Sequence, residues 1–263
     1  MEKEIMLSLI IPVYNEEKNL PSTLPKLAEW LENGKGSREV VLSDDGSVDG
    51  SAEMICEWSE KHPGMRLVSA ERNQGKGAAV RLGMLSAVGR YRVFTDCDLA
   101  YGLEAVRRIE ERLMDTGAGA VIGSRALHPS GYGEYSFVRR MMSKVYVDLL
   151  KVAGGLTQTD SQCGIKGFSA DAAERIFSLC TVNGFAFDLE VLTVAKRLGI
   201  RTVEIAVNVL RHDQEASKVG LVKDTVKMLR DVRRIKRLHR ELSPENELSR
   251  RTEAAANRSE FDG

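Results

Sequence analysis

Short apolar runs alternate with stretches whose apolar residues recur every three or four positions, and this alternation organises the amino-terminal half of the chain. Leu7-Ser8-Leu9-Ile10-Ile11-Pro12-Val13 has the length of a buried strand and stops at the polar cluster Tyr14-Asn15-Glu16-Glu17. A helix follows through Trp30 and Leu31. Gly34 and Gly36 then break the chain before the strand Val40-Val41-Leu42, and a helix from about Ser51 turns Ala52, Ile55 and Cys56 toward the core, with Trp58 a further candidate for that face. A strand over Arg66 to Ser69, a glycine turn, a helix from Ala78 to Val88 stopped by Gly89, and the strand Tyr91-Arg92-Val93-Phe94-Thr95 complete a βαβαβαβ series. That order predicts an α/β fold with a doubly wound, mostly parallel sheet.

A helix from Leu103 to Met114 and the strand Ala120-Val121-Ile122-Gly123 extend the series, after which the rhythm changes. The pattern predicts a helix over Phe137 to Val152, a turn and strand over Asp160 to Phe168, helices over Ala170 to Leu179 and Asp188 to Leu198, a strand over Thr202 to Leu210 and a helix over Val219 to Leu238. From about Ser243 the sequence is polar and charged, with too little apolar surface to order itself. The reading is a catalytic domain over 1–215, a basic amphipathic helix over 216–240 and a disordered polar tail over 241–263.

With 263 residues and 43% hydrophobic content the chain can bury one substantial core. Lys and Arg number 38 and so do Asp and Glu, so net charge gives no argument for a nucleic-acid partner. The four cysteines form no Cys-x-x-Cys pair and no disulfide framework, which suits a reducing cytosol. No leader pattern opens the sequence and no run reaches the roughly eighteen apolar residues of a membrane span, so a soluble or peripherally bound protein is expected.

Two acidic turns change this picture. Asp44-Asp45-Gly46-Ser47 follows Val40-Val41-Leu42-Ser43, and Asp96-Cys97-Asp98 follows the strand ending at Thr95. In an open α/β sheet the carboxyl ends of the strands line the ligand crevice, so four hard oxygen donors should surround one cleft. A divalent cation carrying a diphosphate is the predicted occupant. Residues two apart at a strand end project to one side, which lets Asp96 and Asp98 share a metal-phosphate group.

Other motifs are weaker. Asp45-Gly46-Ser47-Val48-Asp49-Gly50 opens like a calcium-binding loop, but Cys56 stands where the bidentate Glu belongs. A nucleotide-facing turn is preferable, with Asp49 and Ser51 open to a plain capping role. Asn73-Gln74-Gly75-Lys76-Gly77 matches neither the Walker nor the dinucleotide spacing. It remains a flexible turn at a helix start, with Lys76 as a cation able to approach a nucleotide, or else an ordinary strand-to-helix connection.

Taken in order, Ile11-Pro12-Val13-Tyr14-Asn15-Glu16, Ser43 to Gly50, Asn73 to Gly77, Asp96-Cys97-Asp98, Gly123-Ser124-Arg125 and Asp160-Ser161-Gln162-Cys163-Gly164 resemble the family 2 glycosyltransferases. The resemblance runs from about Leu7 to Lys218 and is strongest to dolichyl-phosphate glucosyltransferases and dolichol-phosphate mannose synthases. Asp160 to Gly164 and Phe185 to Glu190 look like the glucosyl branch.

The resemblance implies a GT-A fold and an inverting, metal-dependent transfer of a hexose, from UDP-glucose in preference to GDP-mannose, onto a polyprenyl or dolichyl phosphate. It implies Pro12, Tyr14, Glu16, Asp44, Asp45 and Lys76 at the nucleotide sugar, and Asp96 and Asp98 at Mg²⁺ or Mn²⁺. It also implies Arg125, Arg139, Ser143 and Lys218 around the donor and acceptor phosphates. Ala100 stands where some mannose synthases carry a further Gln ligand. Asp160, Asp188 and Glu190 are reserve candidates for a base, or partners of buried Arg and Lys. A glycan or small-molecule acceptor, and a non-catalytic nucleotide-sugar-binding module, are the rival readings.

Such an acceptor lives in a bilayer. In the helix from Val219, Val222, Val226, Leu229, Val232 and Ile235 recur at helical spacing among cations, the pattern of an interfacial helix or of a helix packed on the domain. The Phe137 to Val152 helix is a second candidate. The expected location is the cytoplasmic face of a membrane, held peripherally.

Overall fold

The computed structural model describes residues 4–34, 37–130, 155–184, 186–210 and 221–246, with backbone alone over 221–229. Within these, seven strands form one sheet: β1 (Leu7–Val13), β2 (Arg38–Asp44), β3 (Met65–Ser69), β4 (Tyr91–Phe94), β5 (Ala120–Ser124), β6 (Lys166–Ser169) and β7 (Thr202–Ala206). The helices are α1 (Leu20–Asn33), α2 (Ser51–Lys61), α3 (Lys76–Ser86), α4 (Gly102–Thr116), α5 (Ala170–Phe177), α6 (Phe187–Arg197) and α7 (Leu221–Leu238).

The strand order is β3-β2-β1-β4-β6-β5-β7. All neighbours are parallel except β6, which runs antiparallel between β4 and β5, with Phe94 opposite Lys166 and Ile122 opposite Lys166 on its two sides. The reversal has a direct consequence for the site. An antiparallel strand starts where its parallel neighbours end, so the segment leading into β6 arrives at the carboxyl end of β4, beside Asp96.

Period-two alternation splits the core between the two faces of the sheet. Leu7, Leu9, Ile11 and Val13 of β1 pack with α1, α2 and α4, while Ile10 joins the opposite layer beneath α3, α5 and α6. On α1, Leu20, Leu24, Leu27, Ala28 and Leu31 form the buried stripe. Gly117 closes α4 in the left-handed conformation, and the Ser169 side chain caps α5 at Ala172 N–H.

The structure departs from the sequence pattern in places, and β7 ends at Ala206 rather than Leu210. α3 begins at Lys76, because Gly75, at φ 111°, turns the chain directly into the helix, and it ends before Ala87, which is extended. Val88, read as its last residue, is exposed. The carboxyl-terminal half of α7 packs on the domain: Val232 and Ile235 are buried with Leu189 and Leu192 of α6, and Leu242 is buried beyond them. The predicted helix over Phe137 to Val152 and residues 247–263 lie outside the described residues. No described helix is long and apolar enough to cross a membrane.

Candidate active site

The loop after β1 and the acidic loop after β2 are laced together. Asn15, in the left-handed region at φ 54°, accepts a hydrogen bond from Val48 N–H at 2.9 Å, and its own N–H donates to Ser47 Oγ at 2.9 Å. Glu16 N–H donates to Ser51 Oγ and Glu17 N–H to Asp49. Asp49 and Ser51 therefore build the loop, which is the capping alternative. Asp44 also turns inward: its carboxylate accepts the N–H and hydroxyl of Ser47 and is buried.

Asp45 has a different task. Its two oxygens accept Gln74 N–H at 3.0 Å and Gly75 N–H at 2.6 Å, clamping the turn that starts α3. Gly77 N–H donates to Asn183 O at 2.7 Å, and a Cβ on Gly75 would lie 2.6 Å from that same oxygen. These amides are consumed by the protein, so the turn is no flexible anion cradle. Its contribution is the Lys76 ammonium, which pairs with Asp96. Burial alone would lower the Lys76 pKa, but Asp96, with Asp188 and Asp98 beyond it, holds it above its ordinary value.

Beyond β4 the chain turns sharply. Thr23 Oγ1 of α1 donates to Cys97 O at 2.8 Å, Ala100 N–H donates to Asp98 at 3.0 Å, and Leu99 takes the left-handed conformation at φ 52°. A leucine in that region is strained. From the other side comes Gly164, whose N–H donates to Tyr101 Oη at 3.2 Å; a Cβ there would collide with the Asp96 carboxylate. A side chain at this position would displace that carboxylate.

Together these elements enclose a cavity of about 490 Å³, lined by Pro12, Val13, Tyr14, Glu16, Asn19, Asp45, Asn73, Gly75, Lys76, Ala79, Asp96, Cys97 and Asp98. Seven predicted residues thus share one cleft: Pro12, Tyr14, Glu16, Asp45, Lys76, Asp96 and Asp98. Tyr14 is 44% exposed at its mouth. Asp44 and Arg125 are not among its lining residues. Arg125 is gripped side-on by Asp160, Nε to Oδ2 at 2.7 Å and a terminal nitrogen to Oδ1 at 2.9 Å. Burial would raise the Asp160 pKa, yet the Arg125 guanidinium keeps it below the usual carboxylate range. Arg139, Ser143 and Lys218 lie outside the described residues.

The remaining acidic candidates are held as the partners of buried groups. Asp188 pairs with Lys166, and burial raises the Asp188 pKa against the pull of that ammonium. Glu190 accepts Thr181 N–H, Val182 N–H and a bond to His239 Nε2 at 2.9 Å; these outweigh its burial and lower its pKa. Sequence reasoning missed Lys166, which is fully buried and donates to Cys163 O at 2.6 Å, fixing the backbone next to Gly164. The one sign was a lone cation in the apolar run Ile165-Lys166-Gly167-Phe168.

Among the described residues no cluster of three or more metal-ligating side chains occurs. Two carboxylates beside an open cavity nevertheless suit a hard cation that takes its other ligands from substrate phosphates and water, the habit of Mg²⁺ and, with the same oxygen donors, Mn²⁺.

Residues 8–177 match the sequence profile of glycosyl transferase family 2. The dolichyl-phosphate beta-glucosyltransferase of Dictyostelium discoideum is 34% identical over 247 residues, covering 88% of this chain and 74% of its own length. That of Saccharomyces cerevisiae is 32% identical, with 88% and 74% covered, and that of Homo sapiens 32% identical, with 77% and 66% covered. Among solved structures, glucosyl-3-phosphoglycerate synthase from Mycobacterium tuberculosis, in complex with Mn²⁺, uridine-diphosphate and phosphoglyceric acid, superposes with a TM-score of 0.61 at 19% identity, covering 88% of this chain and 76% of that one. A Pyrobaculum calidifontis mannosyltransferase in complex with GDP-Man and Mn²⁺ gives 0.57 at 20% identity, covering 81% and 59%. The fold is the one these two transferases share.

Proposed function

The chain belongs to glycosyl transferase family 2, and from that membership we propose that it moves glucose from a uridine diphosphate donor onto a polyprenyl phosphate of the dolichyl type, at a membrane surface. The observation that carries this reading is the convergence of Asp96, Asp98 and Lys76 with Tyr14, Glu16 and Asp45 in one cavity. The names of the relatives supply the acceptor class.

In this reading Tyr14 and Pro12 cover the base, and Glu16 and Asp45 border the ribose, Asp45 also fixing the turn that carries Lys76. Asp96 and Asp98 would hold the divalent cation, whose chemistry there would be to neutralise charge on the departing diphosphate. Lys76 adds a fixed positive charge on the diphosphate side of the cleft. A phosphate monoester with a second pKa near 6 is largely dianionic at neutral pH, so its oxygen needs no protein base. That oxygen forms a bond to the anomeric carbon as the carbon–oxygen bond to the diphosphate breaks, the electron pair leaving with the nucleoside diphosphate. Attack from the opposite face inverts an α-linked donor to a β-linked product.

Arg125, Arg139, Ser143 and Lys218 are assigned to the phosphates on motif position. For Arg125 the bidentate Asp160 pair sets a condition: it acts as a compensated, rigid cation. Membrane contact falls to the outward side of α7, where Arg233, Arg234, Lys236 and Arg237 are exposed. Transfer is tested with radiolabelled UDP-glucose and prenyl phosphate, with Mg²⁺ or Mn²⁺, followed by solvent extraction. Label moving to the organic phase is the expected result. Label that stays in the aqueous phase on a sugar or glycan refutes the lipid acceptor.

A further inference from the structure

A second cavity, of about 400 Å³, opens on the other side of the Asp96–Asp98 turn and shares Asp98 with the first. It is lined by Trp30, Lys26, Glu29 and Asn33 of α1, by Leu99, by Gly102 and Leu103 at the start of α4, and by Leu210. We infer that this groove receives the first isoprene units of the acceptor, whose phosphate then lies at Asp98. The inference rests on the function proposed above and locates its lipid substrate.

Three features support that occupant. The groove and the donor cleft both border Asp98, a metal-binding candidate, so a ligand lying in the groove can bring one end to that carboxylate. Trp30, Leu99, Leu103 and Leu210 give it an apolar wall, while Lys26, Glu29, Asn33 and Asp98 are its polar lining residues, a mixture that suits an amphipathic ligand, and its size falls within the range of small-molecule sites. The apolar wall is also actively maintained. Leu210 is 62% exposed, yet its backbone N–H is tied to Ala100 O at 2.8 Å, and Gly102, at φ 72°, leaves the space its side chain needs: a Cβ there would lie 2.8 Å from Leu210 Cδ1. Leu99, in its strained left-handed conformation, contributes to the same wall directly after Asp98.

The chain has two tryptophans, Trp30 and Trp58, so Trp58→Phe leaves Trp30 as a fluorescent reporter in the groove. In that background, farnesyl phosphate should change the emission saturably and inorganic phosphate should not. Apparent affinity should rise at least about tenfold from dimethylallyl to geranyl phosphate, since each buried carbon contributes about fourfold, and then level off as the groove fills. Leu210→Asp, which places a charge in the apolar wall, should weaken farnesyl phosphate binding at least about tenfold and raise the acceptor KM by a similar factor. Met114→Glu, at the far end of α4, is the control.

Equal responses to inorganic and farnesyl phosphate, or an unchanged affinity in both Leu210→Asp and Leu103→Glu, overturn the groove. So does an emission change produced by truncation after Asn246 with no response to prenyl compounds, which would make the chain's own tail the occupant. Wild-type transfer to farnesyl phosphate with an unaltered KM in Leu210→Asp sinks the groove alone. Failure to glycosylate any lipid phosphate sinks the function itself, whatever the binding shows.

Discussion

Lys166→Met tests whether the interior of this site is set by a compensated charge pair. Lys166 is fully buried; its ammonium donates to Cys163 O at 2.6 Å, pairs with Asp188 and lies 5.6 Å from the Phe94 ring centre. Asp188 is only 7% exposed. Removing one partner of such a pair leaves an uncompensated buried charge and costs about 3–5 kcal/mol. At about 2–4 °C per kcal/mol for a domain of this size, the melting temperature should fall by about 6–20 °C. Lys166→Met with Asp188→Leu removes both charges and should recover most of the loss, because the desolvation penalty disappears with the pair.

The pH dependence carries a sign that packing loss does not. Burial already raises the Asp188 pKa above its ordinary value against the opposing Lys166, and deleting the ammonium raises it further. A carboxyl whose folded pKa exceeds its unfolded value contributes stability that is present below the unfolded pKa, about 3.9, and is lost as pH rises through the folded one. The deficit of Lys166→Met should therefore be smaller near pH 5 than near pH 8 in urea or thermal unfolding. A deficit of equal size at both, or a double variant no more stable than the single, would refute the reasoning.

Three further outcomes follow from the cleft. Asp98→Ala should lower turnover about 10²-fold or more at saturating metal, while unfolding shifts by about 1 kcal/mol for the lost bond to Ala100 N–H; full activity would remove Asp98 from the site. Gly164→Ala forces the Asp96 carboxylate aside and should cost about 10²-fold in kcat, with near-normal melting, measured by donor turnover and calorimetry. Changing Arg233, Arg234, Lys236 and Arg237 together to Gln should weaken binding to anionic vesicles by about 10³-fold at low salt, from about 1 kcal/mol per cation. The difference should shrink as salt screens it, and salt-independent sedimentation would contradict the assignment.

The parallel half of the fold was legible because its signals are local. Leu7 to Val13 and Val40 to Leu42 are apolar runs ended by polar turns, and both become strands whose carboxyl ends carry the predicted acids. Partner choice among buried charges was not legible. Asp160, Asp188 and Glu190 look alike in sequence, yet contacts more than twenty residues away in sequence bind two of them, to Arg125 and Lys166, and the third reaches His239. The direction of β6 was equally hidden, since four residues that open with a lysine and a glycine give no sign of which way the strand runs. For α7, periodicity found the apolar face but not what covers it: Val232 and Ile235 face α6. Truncation after Arg211 would thus remove core as well as basic surface, which is why charge substitution is the sharper membrane test.

The antiparallel β6 explains how a parallel-sheet cleft acquires its second wall. The parallel strands place Asp45 and Asp96 on turns after β2 and β4, on either side of β1. Because β6 starts beside the end of β4, Gly164 presses on Asp96 from one side while Thr23 of α1 holds Cys97 O from the other. The Asp96–Asp98 turn is thus a partition with a cavity on each side, and Asp98 borders both. Under the proposed function Asp98 stands where a donor in one cavity and an acceptor in the other would meet, while inversion itself is decided at the anomeric carbon, where the attacking oxygen must lie opposite the departing diphosphate.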